Sequence, residues 1–251
     1  MTIASRLGAH LPERLLVRLV SVAYSRFEPE IRRLGELAGP AGGTMLDIGG
    51  WYGPWARRLA RRADRVLCFE PTPLHEVLRR TLPAEVEVIA AAASDHPGEA
   101  ELWLSSEDGA VQGVSSLHKR DVHHVSVKVP LITIDSLGLE NVTFMKVDVE
   151  GHEVAVLTGA ADTIKRDRPR LFVEAEQRVQ PVSQLTSLLT AWGYEGWVRP
   201  GRRWLPLTDF DLIGAQETTR RVADRGLLLR AIWPYPRYVN SVLFLPDGQQ
   251  P

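Results

Sequence analysis

The chain has 251 residues, 44% hydrophobic, 24% charged and 7% aromatic, a composition that excludes a disordered or collagen-like protein and fits a globular α/β domain. Thirty Lys and Arg against 31 Asp and Glu leave a formal charge of −1, so neither nucleic acid nor an anionic membrane is expected as a partner. A single cysteine, Cys68, excludes an intramolecular disulfide framework and a multi-thiolate zinc site, and fits a reducing, cytoplasmic setting.

Apolar residues recur at helical spacing over residues 12–37 with Pro29 interrupting, so two short helices are expected before the turn Gly39-Pro-Ala-Gly-Gly43. A buried strand follows at 44–48. A helix is expected at 55–63, with Trp55, Leu59, Ala60 and Ala63 inward and Arg57, Arg58, Arg61, Arg62 and Arg65 forming a solvated face. The rhythm continues with a strand at 66–70, where Cys68 reads as a small buried hydrophobe, a helix at 74–81 and a strand at 86–90. The run 88–93 is far shorter than the ~20 residues of a membrane span. Period-two segments at 99–104 and 125–129 flank a polar loop, 105–124, and read as a β-hairpin-like insertion. His123 and His124 fall in that loop and read as surface rather than metal ligands. Next come a strand at 142–147, a helix at 152–165, a strand at 171–174, a helix at 182–192, a helix at 216–229 and a last strand at 240–246. Strands alternating with helices predict a mostly parallel sheet with helices on both faces. No repeat or linker divides the chain. It reads as a single domain over 1–251: a helical extension at 1–38, a core at 43–192, and C-terminal strands and a helix at 193–251 that complete the sheet.

Two signals point to a nucleoside. Asp47-Ile-Gly-Gly-Trp-Tyr-Gly53 lies where the first strand runs into a helix, and Glu70 ends the next strand, where a carboxylate can accept hydrogens from both ribose hydroxyls. The spacing is not the G-x-G-x-x-G of dinucleotide folds, and no Lys-Ser or Lys-Thr pair follows the glycines as a Walker-type loop requires. S-adenosylmethionine, which carries no phosphate, fits better, with Asp47 and the glycine backbone at its amino-acid end and Glu70 at its ribose.

A carboxylate cluster supplies the candidate chemistry. The strand Thr143-Phe-Met-Lys-Val-Asp148 ends beside the first strand, and Glu174 ends the one after it. Asp148, assisted by His152 or Glu174, would orient or deprotonate an acceptor hydroxyl near a sulfonium. The neighbouring Glu150 and Glu153 would also suit a helix N-terminus.

The chain resembles the FkbM-type S-adenosylmethionine-dependent methyltransferases over roughly residues 30–192. The likeness runs through Asp47-Ile-Gly and Gly53, Phe69-Glu-Pro71, Ser115-Ser-Leu117, Thr133-Ile-Asp-Ser-Leu137 and, most specifically, Lys146-Val-Asp-Val-Glu-Gly-His-Glu153. What the resemblance implies is a Rossmann-like class I methyltransferase fold with a seven-stranded sheet, S-adenosylmethionine as donor, and O-methylation of a hydroxyl on a sugar, polysaccharide, glycolipid or polyketide-type product. It places Asp47, Gly49, Gly50, Trp51, Gly53, Glu70 and Ala92 at the donor, Asp148, His152, Glu174 and Glu150 at the reacting atoms, and Ser115 and Ser116 at a small-molecule or glycan acceptor. The family commonly has Ala-Asn where this chain has Gly50-Trp51, which removes an amide from the donor loop. Mg²⁺, were the reaction metal-assisted, would fall to Asp148, Glu174 and Asp135. The rival readings are a non-catalytic nucleoside- or partner-binding module on the same fold, and a methyltransferase acting on protein or RNA.

Overall fold

A computed structural model describes residues 13–104, 115–117, 125–223 and 237–251. Of the polar loop 105–124, only Ser115, Ser116 and Leu117 are among them. His123, His124 and the expected helical residues 224–229 lie outside.

Two helices, α1 (Glu13–Phe27) and α2 (Leu34–Ala38), precede strand β1 (Thr44–Ile48), with a 3-10 turn beginning at Pro29 between them. Then follow α3 (Ala56–Leu59), β2 (Arg65–Phe69), α4 (Leu74–Thr81) and β3 (Val86–Ile89). The short β4 (Ala92–Ala93) joins β5 (Gly98–Leu104) and β6 (Val125–Ile132) in a small second sheet, in which β5 and β6 form the expected antiparallel pair. The chain returns to the main sheet through β7 (Val142–Val147), α5 (Glu153–Thr158), α6 (Ala161–Asp167), β8 (Arg170–Glu174) and α7 (Val182–Ala191). It ends with β9 (Tyr194–Val198), β10 (Leu205–Pro206), α8 (Leu212–Ala223) and β11 (Ser241–Pro246).

The main sheet runs β3-β2-β1-β7-β8-β11-β9-β10. The first five strands are parallel, and β11 enters antiparallel between β8 and β9. Eight strands stand where seven are expected. The extra one is β10, two residues paired with Trp197 and Val198 at the outer edge, where Pro206 forgoes a ladder hydrogen bond at little cost. β9 escapes the sequence pattern because Tyr-Glu-Gly-Trp-Val neither alternates nor forms an apolar run.

Both faces of the sheet are buried, as the apolar strands require. Leu46, Ile48, Met145 and Val147 pack on α5, α6 and α7 through Val156, Leu157, Ile164 and Leu185. Met45, Phe144 and Phe172 face the other way against Leu37, Trp55 and Leu59. Burying any one of these side chains contributes about 1.5–3 kcal/mol.

The single helix expected at 152–165 is two. At the junction, a Cβ on Gly159 would lie 1.9 Å from the Ser94 carbonyl oxygen, so the chain passes close to the β4 segment there. The Asp135 carboxylate then accepts the Asp162 and Thr163 amides and starts α6 afresh.

Candidate active site

Strands β1 and β7 are neighbours although nearly a hundred residues separate them, and the loops leaving their carboxyl ends border a cleft of about 250 Å³. The sheet order sets out its walls. Phe69 ends β2, Glu70, Pro71 and Thr72 follow it, and Ala91 and Ala92 follow β3 on one side; Gly49, Gly50 and Trp51 follow β1 in the middle. Asp148, Glu150 and His152 follow β7, and Glu174 and Asn240 border β8 and β11 on the other side. Neighbouring strands lie about 4.8 Å apart, so the ends of β3 to β7 span roughly 14 Å, the reach of a nucleoside with a short tail.

The β1 loop is closed by its own backbone. Gly49 and Gly50 both donate to the Phe69 carbonyl (3.1 and 2.9 Å), and the Trp51 amide donates to Glu70 Oε2 (2.7 Å). Three amides that could have cradled a phosphate are thereby used. Gly49 has φ +86°, and a Cβ on it would lie 1.9 Å from the Asp148 carbonyl oxygen, so this glycine lets the β1 and β7 loops meet. Trp51 holds φ 47°, a left-handed conformation that Asn tolerates better than Trp. It packs against Tyr24 and Tyr52, with ring centroids 5.8 and 5.0 Å away.

Glu70 is buried and largely engaged. Its Oε1 accepts the Thr72 amide (2.9 Å) and hydroxyl (2.5 Å), while Oε2 accepts Trp51. A carboxylate offers about four lone-pair directions, which leaves room for one ribose hydroxyl rather than two.

Asp47 and Gly53, expected at the donor, are not among the residues that line the cleft. Asp47 is fully buried: its Oδ2 accepts the Ala56 amide (2.8 Å) and starts α3, and its Oδ1 lies 3.5 Å from Lys146 Nζ. The two are register partners on adjacent strands, so the ion pair follows from the sheet. Ala92 and Ser115 line the cleft. Ser116 is buried beside it and donates through Oγ to the Glu150 carbonyl (2.7 Å), tying the Ser115–Leu117 segment to the β7 loop. His152 Nε2 lies 2.9 Å from Ser94 Oγ. Asp148, Glu150 and Glu174 present carboxylate oxygens within 4.8 Å of one another. Asp135 does not join them, because its carboxylate is committed to the start of α6; Glu150 stands where Asp135 was expected.

Among the described lining residues, five carboxylates (Glu28, Glu70, Asp148, Glu150, Glu174) face one ammonium, Lys146. Lys146 Nζ donates to the Gly49 carbonyl (2.8 Å) and lies 3.4 Å from Asp148 Oδ2. Burial alone would pull its pKa down, but Asp148, Asp47 and Glu28 outweigh burial and raise it, so it stays charged. The carboxyls move the other way. Burial raises Glu70, and burial reinforced by Asp148 raises Glu28. Glu174 is raised well above the usual carboxylate range by burial and then by Asp148 and Glu150, with Asn240 Nδ2 donating to its Oε1 (2.7 Å). Glu153, beneath the β7 loop, accepts the Val149 and Gly151 amides and is pushed up to about 7, chiefly by burial.

Sequence reasoning gave no role to Tyr24, Glu28, Lys146 or Asn240. Lys146 carried a signal, a lone charge inside an apolar strand. The other three come from segments without a motif.

Residues 46–195 match the family model of the Methyltransferase FkbM domain. The chain superposes on the crystal structure of Methyltransferase FkbM from Methylobacillus flagellatus KT with a TM-score of 0.50 and 18% identity, covering 81% of this chain and 43% of that one. It thus spans less than half of that protein. A precorrin 8W decarboxylase from Methanobacterium thermoautotrophicum gives 0.44 and 12%, over 86% of this chain and 89% of that one. A precorrin-6y C5,15-methyltransferase from Geobacter metallireducens GS-15 gives 0.41 and 12%, over 68% and 73%. At such identities the first likeness speaks to fold alone, and the other two are too distant to argue from. No curated protein matches the chain.

Proposed function

This chain belongs to the FkbM methyltransferase family, and from that premise we propose that it transfers the methyl group of S-adenosylmethionine to a hydroxyl of a sugar, glycan, glycolipid or polyketide-type acceptor in the cytoplasm. The observation that carries the reading is the charge of the cleft, five carboxylates against Lys146, together with the closure of the β1 amides. A site so built repels phosphates and attracts cations, and S-adenosylmethionine is a sulfonium that also carries an ammonium. The same features argue against NAD.

The donor supplies an electrophilic methyl carbon. Everything else falls to the chain. Glu70 accepts a ribose hydroxyl beside Ala92, and Gly49 to Trp51 form the wall between ribose and acceptor. Asp148, held by Lys146, accepts a hydrogen bond from the acceptor hydroxyl and aims its oxygen. Glu174, whose proton affinity burial raises, is ionised beside the bound donor cation and takes that proton as the oxygen–methyl bond forms and the sulfur–methyl bond breaks. Glu150 and His152 border the acceptor with Ser115, and Ser116 ties the Ser115–Leu117 segment to the β7 loop. Fixing the reacting groups accounts for most of the rate enhancement in this reading.

Calorimetric titration with S-adenosylhomocysteine, with NADH as control, tests it. Saturable binding of S-adenosylhomocysteine alone, weakened by Glu70→Ala, is the expected result; absence of binding would favour a non-catalytic module.

A further inference from the structure

We propose that Glu28, in the segment joining α1 and α2, forms with Tyr24 a subsite for the α-ammonium of the donor. The residues ahead of β1 thereby complete the cofactor site. The inference rests on the reading of the cleft as an S-adenosylmethionine site and names the carboxylate that reads its amino-acid end.

Elimination and geometry carry it. A cationic amine needs an accepting carboxylate, and Asp47, the obvious candidate in the β1 motif, is fully buried with its oxygens turned to Ala56 and Lys146. Glu70 has about one lone pair left and is given to the ribose, and Asp148 and Glu174 face the acceptor. Glu28 lines the cleft against the β1 loop. Its position there is fixed: the Trp55 indole N–H donates to Oε2 (2.9 Å), the Tyr24 hydroxyl bonds to the same carboxylate, and Tyr24 packs on Trp51. Two donors on a carboxylate with about four lone-pair directions leave acceptors for an ammonium. The nearby Gly49 and Gly50 have spent their amide hydrogens on Phe69, so the backbone at that point competes for no anion. Burial and Asp148 raise the carboxyl of Glu28, a penalty that a bound ammonium relieves.

The test compares three ligands on two proteins. S-adenosylhomocysteine carries the ammonium; 5′-methylthioadenosine keeps the adenosine and thioether but lacks the amino-acid end. Glu28→Gln preserves an oxygen for the Trp55 indole and removes the charge, and thermal melting checks that it folds like wild type. Calorimetry should show S-adenosylhomocysteine weakened by about tenfold or more in Glu28→Gln, the scale of one charge-assisted hydrogen bond, with 5′-methylthioadenosine unchanged. Des-amino S-adenosylhomocysteine should bind both proteins equally. An unchanged affinity for S-adenosylhomocysteine, or an equal loss for 5′-methylthioadenosine, overturns the subsite while leaving the donor reading intact. Wild type that binds neither ligand overturns both.

Discussion

Replacing Gly50 by Ala probes how the β1 loop is built against β2. The family commonly has Ala at this position, yet a Cβ placed here would lie 2.3 Å from Cys68 Sγ and 3.4 Å from Leu78 Cδ1. The first distance is too short for any real contact and the second is ordinary. Cys68 is fully buried, so its sulfur has nowhere to retreat. Overpacking of this kind costs about 1–3 kcal/mol. Gly50 lies outside the left-handed region, so no backbone strain adds to the clash. Cys68→Ala alone leaves a small void and costs about 1 kcal/mol. In that background the Cβ has room, and Gly50→Ala should become neutral or stabilise by about 0.5 kcal/mol through the unfolded chain. A double-mutant cycle from urea denaturation should therefore give a favourable coupling of about 2 kcal/mol. If Gly50→Ala alone costs less than about 0.5 kcal/mol, or the double variant equals the sum of the singles, glycine at 50 is not a response to cysteine at 68.

Asp148→Asn should keep donor affinity and lower kcat by about 10²–10⁴-fold. Because it also removes the like charge that raises Glu174 most, the acid limb of its pH profile should move to lower pH; an unmoved limb would take Glu174 out of the proton transfer. Glu153, pushed up to about 7 from an ordinary 4.5, holds in the folded chain a proton that the unfolded chain has released, so stability falls as pH rises through that window. Between pH 5.5 and 8, urea midpoints should show wild type losing about 2 kcal/mol more than Glu153→Gln, and equal losses would contradict this. Lys146 already places a positive charge 3.4 Å from Asp148, so methyl transfer should survive EDTA; inactivation reversed by Mg²⁺ would show the carboxylate cluster to be a metal site.

The parts of the architecture legible in sequence were those whose signal is local. Short apolar runs marked β1, β2, β7 and β8, and with them the strand ends that border the cleft. What sequence pattern lacked was register. Asp47 looked like a ligand because it ends a strand before glycines; only its pairing with Lys146, 99 residues on, shows its charge to be met inside the sheet. The glycines looked like a cradle for a ligand, whereas Gly49 serves the contact between two loops of the protein. The helix at 152–165 broke at Gly159 because Ser94 and Asp135 approach from distant segments, which periodicity within the helix cannot register. Glu28 and Asn240 were invisible for the same reason.

The most direct test of a cation-selecting cleft is to titrate S-adenosylmethionine into the protein calorimetrically at pH 6.5 in two buffers of different ionisation enthalpy. Glu28, Glu70 and Glu174 all have raised proton affinity in the free protein, and a bound cation favours their ionised forms. The account predicts a net release of protons on binding. Binding with no proton release, or with proton uptake, would contradict it.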